Sequence, residues 1–109
     1  MLQNQVQQEL NQIVTRIVDG YQPEKIILFG SAARGDMHKN SDVDLFIVKN
    51  DSDIRPFRAV KVYETLNDLD RQYPLDIIFY TPSELEYRRS LGDYFVKRVL
   101  SEGRVLYEQ

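Results

Sequence analysis

Two short apolar runs, held apart by a polar stretch of fixed length, restrict this chain more than anything else in it. Lys25-Ile26-Ile27-Leu28-Phe29 ends at Gly30-Ser31, and after ten further residues Asp42-Val43-Asp44 opens the run Leu45-Phe46-Ile47-Val48. β-branched content and flanking Pro and Gly mark such runs as buried strands. Between them, Ser31-Ala32-Ala33-Arg34 suits one or two helical turns. Gly35-Asp36 and Lys39-Asn40-Ser41 have the composition of turns.

The rest of the chain supplies elements to pack on these strands. Val6, Leu10, Ile13, Val14, Ile17 and Val18 form one apolar stripe, which predicts a helix over 2–19 with Gly20 as its terminal cap and Pro23 preventing its resumption. The opposite face is rich in Gln and Asn and is expected in solvent. Pro56 fits a first helical turn, and Phe57, Val60, Tyr63 and Leu66 carry an apolar face to about residue 71. Leu75-Asp76-Ile77-Ile78-Phe79-Tyr80 is a third strand. Thr81-Pro82-Ser83-Glu84 reads as a helix start, with Thr81 as cap and Glu84 three residues on. That helix should run to about Leu91. A last helix is expected over 93–101, followed by a short terminal strand or tail at 104–107. The expectation is one α/β (α+β) domain over 1–109: a small mixed sheet with helices packed on it.

Side chains alternate along a strand. Asp42, Asp44 and Phe46 therefore share a face, as do Asp76, Ile78 and Tyr80. If the second and third strands are neighbours in register, three carboxylates meet at one end of the sheet. Two unit charges at ~4 Å repel by about 4 kcal/mol at an effective dielectric of about 20, so such a cluster calls for a cation. The chain has no cysteine and one histidine, His38. The donors would be oxygens, which suits Mg²⁺ and a phosphate co-ligand. Gly30 allows close backbone approach after a strand. Ser31 at the start of the short helix offers N–H groups and a hydroxyl to phosphate oxygens, and Arg34 one turn on could reach the same anion. Taken alone, Asp42 and Asp44 also fit a plain turn between strands, Ser31 a helix N-cap, and Arg34 a surface ion pair.

Composition narrows the partners. A net charge of −3 and a pI near 5.1 argue against nucleic acid as the main partner. No run approaches a membrane span, and the N-terminus lacks the character of a signal peptide, so a cytoplasmic protein without a membrane partner is expected. Arg55, Arg58 and Lys61, and the pair Arg88 and Arg89, read as solvated helix faces. His38 reads as an exposed loop residue. Tyr87, Tyr94 and Phe95 are expected in the core.

Gly30-Ser31, ten residues, Asp42-Val43-Asp44, and Asp76 on a later strand together resemble the polymerase-beta-like nucleotidyltransferase superfamily. The wording Gly-Ser-Ala-Ala-Arg-Gly-Asp and the ending Glu102-Gly103-Arg104-Val105-Leu106-Tyr107-Glu108 are similar to its minimal members, the MNT domains. The resemblance implies that Asp42, Asp44 and Asp76 hold two Mg²⁺ ions and that Asp76 helps deprotonate an acceptor hydroxyl. It also implies that Gly30 and Ser31 hold the β- and γ-phosphates of ATP. Minimal members are often the antitoxin of a toxin–antitoxin pair, transferring AMP to a tyrosine of a helical HEPN toxin. A hetero-oligomer with such a toxin is the implied assembly, with a homodimer as the other option. Two alternatives stay open: a non-catalytic antitoxin that blocks its partner by binding, and a small-molecule nucleotidyltransferase that borrows its acceptor site from a second subunit.

Overall fold

The computed structural model describes residues 4–36 and 42–109. The expected strands emerge with the expected limits: β1 (Lys25–Phe29), β2 (Val43–Val48) and β3 (Leu75–Tyr80), joined by a fourth, β4 (Arg104–Glu108). Their order in the sheet is β3-β2-β1-β4. β1 runs antiparallel to both β2 and β4, whereas β2 and β3 are parallel. The sheet is thus mixed. Its one parallel pair follows from the crossover helix α3 (Arg55–Thr65) between β2 and β3.

Helix α1 (Asn4–Tyr21) and α3 cover one face. There Leu10, Ile13 and Ile17 of α1 and Val62 of α3 join Ile26, Leu28, Leu45 and Ile47 in the main core. On the other face Ile27, Phe46 and Val48 meet Val99 of α5 (Tyr94–Glu102), with Leu85 of α4 (Pro82–Ser90) beside them. The short helix α2 (Gly30–Arg34) sits at the end of β1.

Helix ends follow local chemistry, with corrections. α1 runs through Gly20 to Tyr21. Gln22 takes the left-handed conformation (φ 55°) and donates its N–H to the carbonyls of Ile17 and Val18, so Gln22 and not Gly20 ends the helix. Gly20 is needed for space, since a methyl there would lie 2.5 Å from the Thr65 methyl. α3 stops at Thr65 rather than near 71, Leu66 closing it through backbone bonds to Tyr63 and Glu64. α4 begins as expected. Thr81 accepts from the Glu84 N–H and Glu84 accepts from the Thr81 N–H, a reciprocal capping box.

Several charged residues expected in solvent are buried or held in ion pairs. Arg58 is 6% exposed and pairs with Glu84 at 2.9 Å. Lys61 bridges Asp51 and Asp53 at 2.7 and 3.0 Å. Glu9, on the polar side of α1, accepts the backbone N–H groups of Gln72 and Tyr73. Conversely, Tyr87 and Tyr94 stand in solvent, and Phe95 is only partly covered. α5 lies on the edge of the smaller core, which is too narrow to enclose both faces of an amphipathic helix. His38, Lys39, Asn40 and Ser41 lie outside the described residues.

Candidate active site

One row of residues crosses three strands. Asp44 of β2 is the register partner of Asp76 on β3 and of Phe29 on β1. The chain leaves Phe29 directly into Gly30, so the row runs Asp76, Asp44, Gly30 at one end of the sheet. All of it lies on the face that carries Phe46 and Tyr80, whose rings stack at 5.1 Å. The neighbouring strands and shared face foreseen for Asp44 and Asp76 are present. Asp42 precedes β2 and is exposed, as is Asp76, while Asp44 is half-buried.

Gly30 sits against Asp44. Its φ is +74°, and a Cβ placed on it would lie 2.3 Å from Asp44 Oδ2. The glycine therefore serves two needs, a left-handed turn out of β1 and room for the carboxylate. Ser31 is the second residue of α2, not its cap. Phe29 holds the cap position with no side-chain hydrogen bond. The first backbone N–H groups of α2 thus have no capping side chain. Gly35, at φ 79°, closes the helix through bonds to Ala32 and Ser31.

Burial raises the Asp44 carboxyl above its ordinary range, and the negative charges of Asp76 and Asp42 push it further the same way. The Arg34 guanidinium opposes them weakly. Arg34 itself is paired with Asp36 at 3.3 Å and is exposed, which makes it free to exchange that partner for a stronger anion. Among the described residues, no three acidic or histidine side chains close around one point as a ready-made cage. The donor set nevertheless suits a hard cation. It consists of carboxylate oxygens with uncompensated charge, and Mg²⁺ takes only one or two such ligands beside waters and substrate phosphates.

The polymerase-beta nucleotidyltransferase family matches residues 11–109, nearly the whole chain. The chain belongs to this family. It is 39% identical over 85 residues to the “Putative protein adenylyltransferase MJ0604” of Methanocaldococcus jannaschii, covering 77% of this chain and 78% of that protein. Among solved structures, a toxin–antitoxin crystallised with AMP-PNP superimposes with a TM-score of 0.64 at 25% identity, over 91% of this chain and 73% of the other. A mutant of the toxin–antitoxin MntA-HpeT superimposes equally well, with a TM-score of 0.64 at 22% identity over 91% and 73%. The latter likeness is one of fold. The chain is a nucleotidyltransferase, and a nucleotide is its substrate. No helix among the described residues is long and apolar enough to cross a membrane.

Two features of the site had no signal in the sequence. The Phe29–Phe95 edge contact, at 5.5 Å between ring centres, brings α5 to the end of β1. Arg98 and Glu102 of α5 thereby come close to Gly30 and Arg34, although they are 64 or more residues away in sequence.

Proposed function

We propose that this chain is a Mg²⁺-dependent adenylyltransferase that moves AMP from ATP to a tyrosine hydroxyl of a HEPN-type toxin and so acts as its antitoxin. The observation that carries the reading is the contact between Gly30 and the Asp44 carboxylate. It sets the turn out of β1 directly against the Asp44 carboxylate, with Asp76 next in the row. The protein adenylyltransferase name of the Methanocaldococcus relative and the toxin–antitoxin neighbours support the choice of acceptor.

In this mechanism Gly30 and Ser31 hold the β- and γ-phosphates, and Arg34 leaves Asp36 for the same anion. Asp42, Asp44 and Asp76 would hold the metal, which supplies positive charge to the reacting phosphate oxygens. The acceptor oxygen forms a bond to the α-phosphorus while the bond from that phosphorus to the bridging oxygen breaks. The tyrosine proton passes to Asp76, the exposed outer member of the row. Pyrophosphate leaves on the Gly30 side.

The test is mass spectrometry of the toxin after incubation with this protein, ATP and Mg²⁺. A mass increase of one or more AMP groups on tyrosine is expected. Replacing both Asp42 and Asp44 by Asn should slow its formation at least ~1,000-fold, about 4 kcal/mol of transition-state stabilisation. An adduct that survives the double substitution would sink the metal assignment. A toxin silenced without any adduct would show an antitoxin that works by binding alone.

A further inference from the structure

Between α2 and α5, beside Gly30, lies a cavity of about 140 Å³. Phe29, Phe95 and Val99 form its apolar walls, and Arg34, Arg98 and Glu102 its polar rim. We propose that this cavity receives the terminal phosphate of the donor nucleotide and that Arg98 holds the departing pyrophosphate there. The proposal rests on the transferase reading above and names a binding residue which that reading does not use.

Three observations lead to it. The first is order across the sheet. Asp76, Asp44 and Gly30 lie in a row, and the cavity adjoins Gly30 on the side away from β2. In an in-line displacement the leaving group departs opposite the incoming oxygen. With the acceptor at Asp76, pyrophosphate is driven past Gly30 toward this cavity. The second is charge. Two guanidinium groups line it beside a site whose own side chains are anionic: Arg34 is paired with the exposed Asp36 at 3.3 Å and Arg98 with Glu102 at 2.6 Å, partners that an incoming phosphate can displace. The third is fixation. Glu102 accepts from Arg98 Nε at 2.6 Å, one helical turn away, and the guanidinium lies 5.9 Å from the centre of the Tyr94 ring. The arginine is thus held at the cavity while part of its planar fork is left for an anion.

Calorimetric titration of the full chain with inorganic tripolyphosphate, ATP and AMP, each with Mg²⁺, tests this. Arg98→Ala should weaken tripolyphosphate and ATP at least ~10-fold and leave AMP within about twofold. Arg98→Lys should recover part of the loss. The Arg98 side chain is 48% exposed, so its removal should leave the circular dichroism spectrum unchanged. If Arg98→Ala shifts tripolyphosphate affinity less than about threefold, the proposal fails and the transferase reading stands. If AMP weakens as much as ATP, the cavity takes the nucleoside and the proposal is wrong. A wild-type protein that binds none of the three ligands overturns the transferase reading, and this proposal with it.

Discussion

Gly30 and Asp44 occupy one space. A methyl group on Gly30 would stand 2.3 Å from Asp44 Oδ2, and the residue has a φ of +74°. Neither problem can be relieved without moving the other partner. Rotating the carboxylate away dismantles the site, and returning Gly30 to ordinary backbone re-aims α2. Gly30→Ala should therefore cost about 1–2 kcal/mol of stability from the left-handed backbone alone. It should also reduce transfer activity at least ~100-fold. Denaturant unfolding and initial rates on the same preparation check both. An Ala variant with wild-type rates would show that the turn plays no part in catalysis.

Asp44 is also a source of instability in the metal-free protein. Burial, Asp76 and Asp42 all raise its folded pKa above the ordinary value of 3.8. A carboxyl raised on folding favours the folded state when protonated. That benefit is complete below its unfolded pKa and is lost as pH rises through the folded value. At neutral pH the ionised group therefore opposes folding. Asp44→Asn should raise the thermal midpoint of the metal-free protein at pH 7 while abolishing activity, and the gain should disappear near pH 3. A lower midpoint at pH 7 would show that the carboxylate has a stabilising partner.

How far the sequence reached depended on whether the deciding interaction was local. β1, β2 and β3 were legible because runs such as Ile26-Ile27-Leu28 and Phe46-Ile47-Val48 suit only buried strands. The Asp44–Asp76 pairing followed from a crossover long enough for a parallel neighbour. The Thr81–Glu84 box is local and was read directly. Arg58 and Glu9 were not legible, because a charged residue on a helix looks solvated until its partner is known. Those partners, Glu84 and the Gln72–Tyr73 backbone, lie 26 and 63–64 residues away. Tyr87 and Tyr94 failed in the opposite sense, since an aromatic on an amphipathic helix reads as core until the width of the facing sheet is fixed. Arg98 gave no signal because its nearness to Gly30 depends on the Phe29–Phe95 contact, between residues far apart in sequence.

Glu84 links two helices. It caps α4 through the Thr81 N–H, and it takes Arg58 of α3 at 2.9 Å. The Arg58 pair holds the Glu84 carboxyl below its ordinary range, although burial acts against this. Removing Arg58 leaves a partly buried carboxylate with two hydrogen bonds fewer. Removing Glu84 leaves a buried guanidinium. Arg58→Ala and Glu84→Ala should each cost about 2–3 kcal/mol. The double variant should cost less than their sum, because each single change strands the other partner. Urea unfolding of the four proteins gives the coupling. Strict additivity would mean that the two side chains do not cooperate.

Tyr21 and Asp51 tie the end of α1 to the segment after β2. Tyr21 donates its hydroxyl to Asp51 at 2.6 Å, and Lys61 approaches the same carboxylate at 2.7 Å. Burial would raise Asp51, but the hydrogen bonds from Lys61 and Tyr21 prevail and hold it at about 2. Burial and the Asp51 bond push the Tyr21 hydroxyl far above its ordinary value of 10, so it remains a donor throughout the working pH range. A carboxyl depressed on folding contributes stability that is complete above its unfolded pKa, near 3.8, and is lost as pH falls toward the folded value near 2. The wild-type protein should thus lose stability across that window. Asp51→Asn should be less stable at pH 7 by about 2 kcal/mol and should show a shallower fall between pH 4 and pH 2. Tyr21→Phe, which keeps the ring and loses only the hydroxyl, should cost about 1 kcal/mol. Urea unfolding at several pH values separates the two, and an Asp51→Asn curve parallel to wild type would place the acid sensitivity in another carboxylate.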